Sequence, residues 1–352
     1  MIDISSMLSR KEFLIKTLGL GGASLILANI KTPTDFMSFD LHSHVGRLFL
    51  MGNPLNGTPL NSIEAFGVLK EVPIMGAFVS LVADSKLLKA GPNGISVLGN
   101  FKDGEAWDDY KAQLQFSRDF YSKQGIHLGL SADAVKKGPF PSIYMAVEGG
   151  DFLEGKLDRI EEAYEDGIRS IQLVHYVQNN VGDLQTSTPI YKGLSPFGKD
   201  LIRKMNKSKM LIDVAHASYE TTKDVVNISH SPIMLSHSIL SMEPNRPIAI
   251  RSISPEHALL VSKNGGLIGA WPSGFNKSFE DFVDNIARLV DLVGIDHVGL
   301  GTDMDQNFKA VLSSYKQFPS LYESLLNKGF HKEEAEKIMG RNAFNLLKKV
   351  IH

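Results

Sequence analysis

The sequence predicts an α/β fold, a (β/α)8 TIM-like barrel, from three observations. Eight short apolar segments alternate with segments of helical periodicity, which is the pattern of buried parallel strands joined by helices. Histidines and carboxylates lie within a few residues of the carboxyl ends of most of these segments, and a β/α barrel gathers such positions at one mouth. The length of 352 residues accommodates one such barrel, which uses roughly 250 residues, together with insertions.

The predicted strands and helices follow one another in regular order. Serine–proline pairs at 195–196 and 254–255 mark helix starts, since serine caps a helix N-terminus and proline suits the first turn. The second of these helices ends at the glycines 265–266, and apolar residues at helical spacing predict a helix over 279–293. The predicted strands are 38–42, 74–82, 142–148, 168–174, 210–215, 232–236, 267–271 and 298–301.

Loop insertions after strands one and two and a C-terminal helical tail enlarge the predicted barrel. A loop rich in glycine, asparagine and proline covers 46–67, and a longer excursion covers 85–137 and contains a helix over about 104–123. Helices at about 319–328 and 332–350 form the tail. Long loops at the carboxyl ends of strands are where barrels place substrate-binding elements.

The first 35 residues are predicted to be an export signal or an N-terminal extension. A basic stretch at 9–16 precedes an apolar, glycine-rich stretch at 17–30, which is the order of a cleaved signal. It resembles a twin-arginine signal in which Lys11 replaces the second arginine, so we expect a periplasmic protein. The alternative is a helix that caps the barrel of a cytoplasmic protein. Glycines interrupt the apolar stretch, so no transmembrane anchor is predicted.

Composition narrows the classes of partner and ligand. The net charge is −2 and no long basic run occurs, so nothing indicates nucleic-acid binding. The chain contains no cysteine, which excludes disulfides and thiolate ligands and leaves nitrogen and oxygen donors for any metal. No linker or repeat divides the rest of the chain, and residues 36–352 are predicted to form a single metal-dependent hydrolase barrel domain.

The strand ends supply a candidate set of metal ligands. His42 and His44 are two residues apart in an extended segment, so their side chains face the same side. Glu148 ends the third strand and has two oxygens with which to bridge two cations. His216 and His237 follow the fifth and sixth strands, and neutral imidazole is the commonest metal ligand.

Other polar residues at the predicted mouth suggest catalytic roles. His175 follows the fourth strand and is a candidate for binding a substrate oxyanion, although a buried core histidine is the alternative. Asp303 ends the eighth strand and could take a proton from water bound to a metal. Asp305 competes for that role. The cluster as a whole indicates a metal-dependent hydrolase.

These motifs, in their order and spacing, resemble the membrane (renal-type) dipeptidase family, peptidase family M19, within the metal-dependent amidohydrolase barrels. The resemblance extends from about residue 39 to the C-terminus. One departure is His42-x-His44, because the family more often has H-x-D there, and the change removes an anion from the site. The resemblance is carried by AVEGG at 146–150, LVH at 173–175, DVAHAS at 213–218, SHS at 236–238 and GTDMD at 301–305.

The resemblance implies two zinc ions, with other divalent metals as the alternative. His42, His44 and Glu148 would hold one ion. Glu148, His216 and His237 would hold the other.

The resemblance also implies a zinc metallopeptidase that hydrolyses dipeptides through a water acidified by the metals. Asp303 would accept the proton of that water, and His175 would stabilise the oxyanion. Arg251, with Arg246 as the fallback, would bind the C-terminal carboxylate of a small peptide, since a guanidinium holds a carboxylate bidentately. A D-residue at the C-terminal side of the substrate and a homodimer are further expectations from the family.

Two other functions fit the same residues. Hydrolysis of a lactone or a phosphotriester by the same kind of barrel suits His42-x-His44 equally well, but a lysine at a strand end that could be carboxylated is missing. A non-catalytic metal-binding barrel would keep its metal and show no turnover.

Overall fold

Eight parallel strands close into a barrel, as the sequence predicts. The computed structural model describes residues 36–50, 74–91, 94–135, 141–241 and 250–351. The strands are β1 (Ser38–Ser43), β2 (Ile74–Val82), β3 (Leu88–Gly91), β4 (Gly94–Val97), β5 (Ser142–Glu148), β6 (Ile168–Gln172), β7 (Leu211–Asp213), β8 (Met234–Ser238), β9 (Leu267–Ala270) and β10 (Val298–Leu300). The barrel order is β1-β10-β9-β8-β7-β6-β5-β2, with β1 closing onto β2, and every neighbouring pair is parallel.

The helices connect the strands and form the tail. Two begin where the serine–proline pairs predict, since Ser195 Oγ accepts the N–H of Gly198 and Ser254 Oγ accepts the N–H of His257. These caps satisfy N–H groups that have no partner inside the helix. The helices are α1 (Glu105–Lys123), α2 (Arg159–Glu165), α3 (Pro196–Lys207), α4 (Tyr219–Ile228), α5 (Pro255–Lys263), α6 (Phe279–Val293), α7 (Phe318–Asn327), α8 (Lys332–Glu336) and α9 (Asn342–Val350).

Several local features differ from the predicted elements. The strand predicted at 210–215 is shorter, because the Asp213 carboxylate accepts the N–H of Ala215 and ends the ladder there. The strand predicted at 232–236 is Met234–Ser238, so His237 lies inside it. A π-helical turn, Lys337–Arg341, interrupts the helix predicted over 332–350, where Gly340 lies against the backbone of 37–39. The insertion after β2 also contains an antiparallel hairpin of β3 and β4.

One apolar cluster fills the interior of the barrel, and a second lies between the strands and the surrounding helices. Phe39, Phe78 and Tyr144 pack inside it, with ring centroids 5.6–5.8 Å apart, and Leu346 and Val350 of α9 belong to the same cluster. A larger cluster joins the outward side chains of the strands to the surrounding helices. A filled interior is typical of this fold, which leaves its chemistry to the loops at the carboxyl ends of the strands.

Some predictions concern residues outside the described ranges. These include the export signal at 1–35, Arg246 and most of the loop at 46–67. Among the described residues, no helix has the length and apolar character needed to cross a membrane.

Candidate metal centre

The strand ends bring the seven predicted site residues together at the carboxyl mouth. His42 and His237 lie within β1 and β8, and Glu148 is the last residue of β5. His44 directly follows β1, and the loops after β6, β7 and β10 carry the remaining three, which are His175, His216 and Asp303. All seven are buried except Asp303, whose side chain is 14% exposed.

Two close pairs of imidazoles flank Glu148. The Nε2 atoms of His42 and His44 are 3.1 Å apart, and those of His216 and His237 are also 3.1 Å apart. Glu148 Oε1 lies 3.5 Å from His42 Nε2 and 3.4 Å from His216 Nε2, and Oε2 lies 3.2 Å from His44 Nε2. One carboxylate therefore faces both pairs, the arrangement expected of a residue that bridges two ions.

The donor set fits divalent metals. Two nitrogens bound to one zinc at about 2.0–2.1 Å in tetrahedral geometry lie roughly 3.3 Å apart, close to the spacing in each histidine pair. Ligands fall into three overlapping groups that could hold an ion, namely His42–His44–Asp303, His42–Glu148–His237 and Glu148–His175–His216. The ligand atoms in these groups are imidazole nitrogens and carboxylate oxygens, which suit zinc and other first-row divalent metals.

Hydrogen bonds to the second ring nitrogen orient three of the four histidines. His44 Nδ1 lies 3.2 Å from the carbonyl oxygen of Ser80, and His42 Nδ1 lies 3.4 Å from the Ser80 hydroxyl. His237 Nδ1 lies 3.0 Å from Ser236 Oγ. Contacts of this kind fix ring orientation and leave Nε2 for a metal. The Nδ1 atom of His216 is buried and has no hydrogen-bond partner among the described residues.

Burial and charge set the protonation states of the cluster in the metal-free protein. Burial lowers the pKa of His216 and His237 well below the usual value, with Arg251 adding to the effect at His216 and His42 at His237. Burial alone would raise the pKa of Glu148, but the nearby imidazoles outweigh it and hold that pKa well below the usual value. These states, neutral imidazole and ionised carboxylate, are the ones that bind metals.

His44 behaves differently because two carboxylates surround it. Burial would lower its pKa, but the contacts with Asp303 and Glu148 outweigh burial and raise it to about 10. Its Nε2 lies 3.4 Å from Asp303 Oδ1. A metal that binds here must displace a proton from His44, so metal affinity is expected to weaken in acid.

A family model described as "Membrane dipeptidase (Peptidase family M19)" matches residues 88–352 of the chain. The chain belongs to the membrane dipeptidase family. The dipeptidase tcpJ of Claviceps purpurea is 33% identical over 253 residues, which are 67% of this chain and 58% of that protein. The dipeptidase aclJ of Aspergillus oryzae is 27% identical over 223 residues, 60% of this chain and 52% of that protein. The matched region thus spans little more than half the length of these curated relatives.

Solved structures of metallopeptidases share the fold of the chain. The dipeptidase AC, a metallopeptidase of family M19, superposes with a TM-score of 0.76 at 18% identity, covering 90% of this chain and 99% of that chain. A metallopeptidase from Rhodobacter sphaeroides, solved with a phosphinate mimic of the dipeptide L-Ala-D-Ala, gives 0.75 at 19% identity, with 90% and 100% covered.

Asp303 and Asp305 occupy different environments. Asp303 lies beside His44, whereas Asp305 Oδ2 accepts the N–H of Gly46 at 2.7 Å. Asp303, Asp305 and His216 all have positive φ, at 53°, 69° and 65°, a backbone region that residues other than glycine rarely adopt. Backbone conformation therefore does not distinguish the two aspartates. The contact with His44 is what distinguishes Asp303, because it places that carboxylate within the histidine cluster.

Arg251 is buried against the second histidine pair. Its Nη2 lies 2.9 Å from His216 Nε2 and 3.5 Å from His237 Nε2, and its Nη1 donates to Gln185 Oε1 at 2.7 Å. The lone pair of His216 Nε2 that accepts from Arg251 is the one a metal would use. A metal bound to His216 Nε2 would therefore break this hydrogen bond. The Nη2 group of Arg251 would then be available to bind a substrate.

Four residues of the mouth were not predicted from the sequence. Asp84 contacts His175 at 2.7 Å, and Gln172 donates to Glu148 Oε1 at 3.3 Å. Gln185 holds Arg251, and Tyr176 packs its ring against His175 and His216 at centroid distances of 4.6 and 5.2 Å. Asp84 follows a predicted strand end by two residues, so the rule that predicted the candidate ligands could also have predicted Asp84.

Proposed function

We propose that the chain is a binuclear zinc metallopeptidase that hydrolyses dipeptides. The observation that carries this proposal is the placement of Glu148 between two histidine pairs with Nε2 spacings of 3.1 Å. His42, His44 and Glu148 would hold one ion, and Glu148, His216 and His237 the other. When bound, two zinc ions supply Lewis acidity, which acidifies water and polarises a carbonyl oxygen.

The chain's own residues would handle the proton and the oxyanion. The Asp303 carboxylate, the most exposed of the cluster, accepts a proton from the attacking water and delivers it to the leaving amine. His175 points its Nε2 toward the Glu148 side of the site, 3.5 Å from Oε1. In that position it donates a hydrogen bond to the oxygen that becomes negatively charged.

Arg251 would select substrates with a free C-terminal carboxylate. A guanidinium holds a carboxylate through two parallel hydrogen bonds, and Gln185 keeps Arg251 beside the metal ligands. An anchor so close to the ligands leaves room for one residue beyond the scissile bond, so very short peptides are preferred. A D-residue at that end is part of the proposal, supported by the phosphinate mimic of L-Ala-D-Ala bound to the Rhodobacter sphaeroides relative.

Hydrolysis of a small panel of peptides tests the proposal. Zinc-loaded protein is given L-L and L-D dipeptides with N-acetylated and C-amidated versions of each. We expect cleavage of the free dipeptides that is lost on chelation and on C-amidation. Absence of cleavage by protein shown to contain two metals would contradict the proposal and would favour another amidohydrolase substrate, such as a lactone or a phosphotriester.

A further inference from the structure

Asp84 is a buried carboxylate that contacts both the ring and the backbone of the His175 segment. It lies two residues beyond β2 and has 0% of its surface exposed. Its Oδ1 lies 2.7 Å from His175 Nδ1. Its Oδ2 accepts the N–H groups of Tyr176 and Val177 at 3.1 and 3.0 Å. All these contacts belong to one side chain, and β5 lies between β2 and β6 in the barrel. Asp84 therefore connects the loop after β6 to the end of β2 across the intervening strand.

We infer that Asp84 is the positioning residue for His175. Its carboxylate fixes the ring orientation and the tautomer that present Nε2 to the substrate. The inference rests on the proposed function, in which His175 donates a hydrogen bond to the oxyanion of a cleaved peptide.

The hydrogen bonds of Asp84 decide which nitrogen of His175 faces the site. A carboxylate accepts hydrogen bonds, and two backbone N–H groups already occupy Oδ2. Oδ1 is therefore left to accept from Nδ1–H, which places the ring edge that carries Nε2 toward Glu148. The same logic operates in metal sites and catalytic triads, where a carboxylate sets the tautomer of a histidine.

Packing around the ring does not achieve this by itself. The rings of Tyr176 and His216 lie edge-on to His175, each at a centroid distance of 4.6 Å, and restrict its tilt. A 180° flip of the imidazole exchanges Nε2 with Cε1 and barely changes the shape of the ring. Contacts of this kind tolerate both orientations, whereas the hydrogen bond to Asp84 permits only one.

The competing explanation is that Asp84 only stabilises the loop through its bonds to Tyr176 and Val177. A double-mutant cycle separates the two, because a residue that acts through His175 has no further effect once His175 is removed. The variants are Asp84→Asn, His175→Asn and the double variant. Asp109→Asn is the matched control, since Asp109 is also buried (1% exposed) but accepts from Gln113 and pairs with Lys86 instead of contacting His175. Its pairing with Lys86 also tests whether disturbing the segment next to Asp84 is enough to lower turnover.

Kinetics on zinc-loaded variants with verified metal content give the first readout. We expect Asp84→Asn to lower kcat by about 10- to 100-fold, the usual range for loss of a partner behind a site residue, with little change in KM. In the His175→Asn background the same substitution should have no additional effect, and Asp109→Asn should leave kcat unchanged. Effects of Asp84→Asn and His175→Asn that multiply would overturn the inference.

Proton NMR of the zinc-loaded protein gives a second readout that does not depend on turnover. A ring N–H bonded to a buried carboxylate resonates far downfield, and loss of the signal in His175→Asn assigns it. We expect the signal to disappear in Asp84→Asn and to persist in Asp109→Asn; its persistence in Asp84→Asn would refute the positioning contact. If the panel shows no peptide cleavage, the proposed function fails, while this signal still decides whether Asp84 holds the ring.

Discussion

Glu148 contacts both histidine pairs with its two carboxylate oxygens, and its replacement is the sharpest test at the scale of a single residue. Glu148→Gln keeps the size of the side chain but replaces one oxygen lone-pair donor with an NH₂ group that cannot bind a metal. We expect the variant to lose at least one of two ions and more than about 100-fold in turnover, beyond the usual cost of losing an outer partner of a metal site.

Metal analysis and dipeptide turnover, measured side by side, check this expectation. Glu165→Gln, an exposed substitution on α2, is the control and should match the unsubstituted protein in both. A Glu148→Gln protein with two ions and ordinary turnover would remove Glu148 from the bridging position.

The sequence predicts which side chains meet at the mouth better than it predicts the residues that hold them in place. His42, Glu148 and Asp303 come together there, and each was predicted as a histidine or carboxylate near the end of a strand. Gln185 supports Arg251 from 66 positions away in the sequence, and amide side chains occur throughout the loops. Such a pairing depends on how the loops after β6 and β8 fold over the mouth, which no local periodicity encodes.

At the scale of elements, glycines allow three strands to approach closely beneath His237. A Cβ placed on Gly269 of β9 would lie 1.7 Å from Ser236 O, and one on Gly301, just after β10, would lie 1.8 Å from the same atom. Ser236 is the neighbour of the proposed ligand His237 in β8. These close contacts explain why β8, β9 and β10 can hold His237 and Asp303 at one edge of the mouth.

Gly269→Ala is therefore expected to disrupt both packing and the metal site. Overpacking usually costs about 1–3 kcal/mol, and here the clash is with backbone that cannot rotate away, so we expect at least about 3 kcal/mol. Urea unfolding measures the loss, and zinc titration should show weaker binding because His237 shifts. Gly265→Ala is the control: it has φ +78° and its nearest neighbour at 3.9 Å, so only backbone strain of about 1–2 kcal/mol applies. Equal losses in the two variants would contradict the clash.

The sequence predicts the bounds of long buried strands but not features that depend on tertiary contacts. The ranges 74–82 and 142–148 match β2 and β5 residue for residue, because long apolar runs specify a buried strand. The second tail helix, predicted over 332–350, contains a π turn. The contact of Gly340 with the start of β1 is tertiary, so helical periodicity could not predict it. Nor does composition distinguish the β3–β4 hairpin from an irregular loop.

For the whole molecule, export of the chain and its assembly into a homodimer stay predictions. Fractionation of cells that express the full chain and an Arg10→Gln variant would address the first, and sedimentation the second. The stability of the fold in acid is a third property of the whole molecule that can be measured. It depends on histidines buried away from the candidate metal centre, because these bind protons more readily in the unfolded chain.

His257 is one such histidine, and it should make the fold less stable in acid. It lies on α5, is 3% exposed, and its Nε2 lies 2.8 Å from Thr222 Oγ1 on α4. Burial lowers its pKa from 6.5 to about 4. Between these values the unfolded chain binds a proton that the folded chain does not, so stability is full above pH 6.5 and falls as the pH drops toward 4. This difference in pKa corresponds to a loss of at most about 3 kcal/mol in the free energy of unfolding.

His257→Gln removes this proton while keeping a polar partner for Thr222. We expect the free energy of unfolding of the variant to decline less between pH 6.5 and pH 4 than that of the unsubstituted protein, with the gap widening as the pH falls. Urea unfolding in the presence of a chelator measures it, so that metal binding, which also weakens in acid, does not contribute. His230→Gln, at an exposed position, is the control and should follow the unsubstituted profile. Parallel profiles for His257→Gln and the unsubstituted protein would show that His257 is protonated equally in both states, and the contact between α4 and α5 would then be open to water.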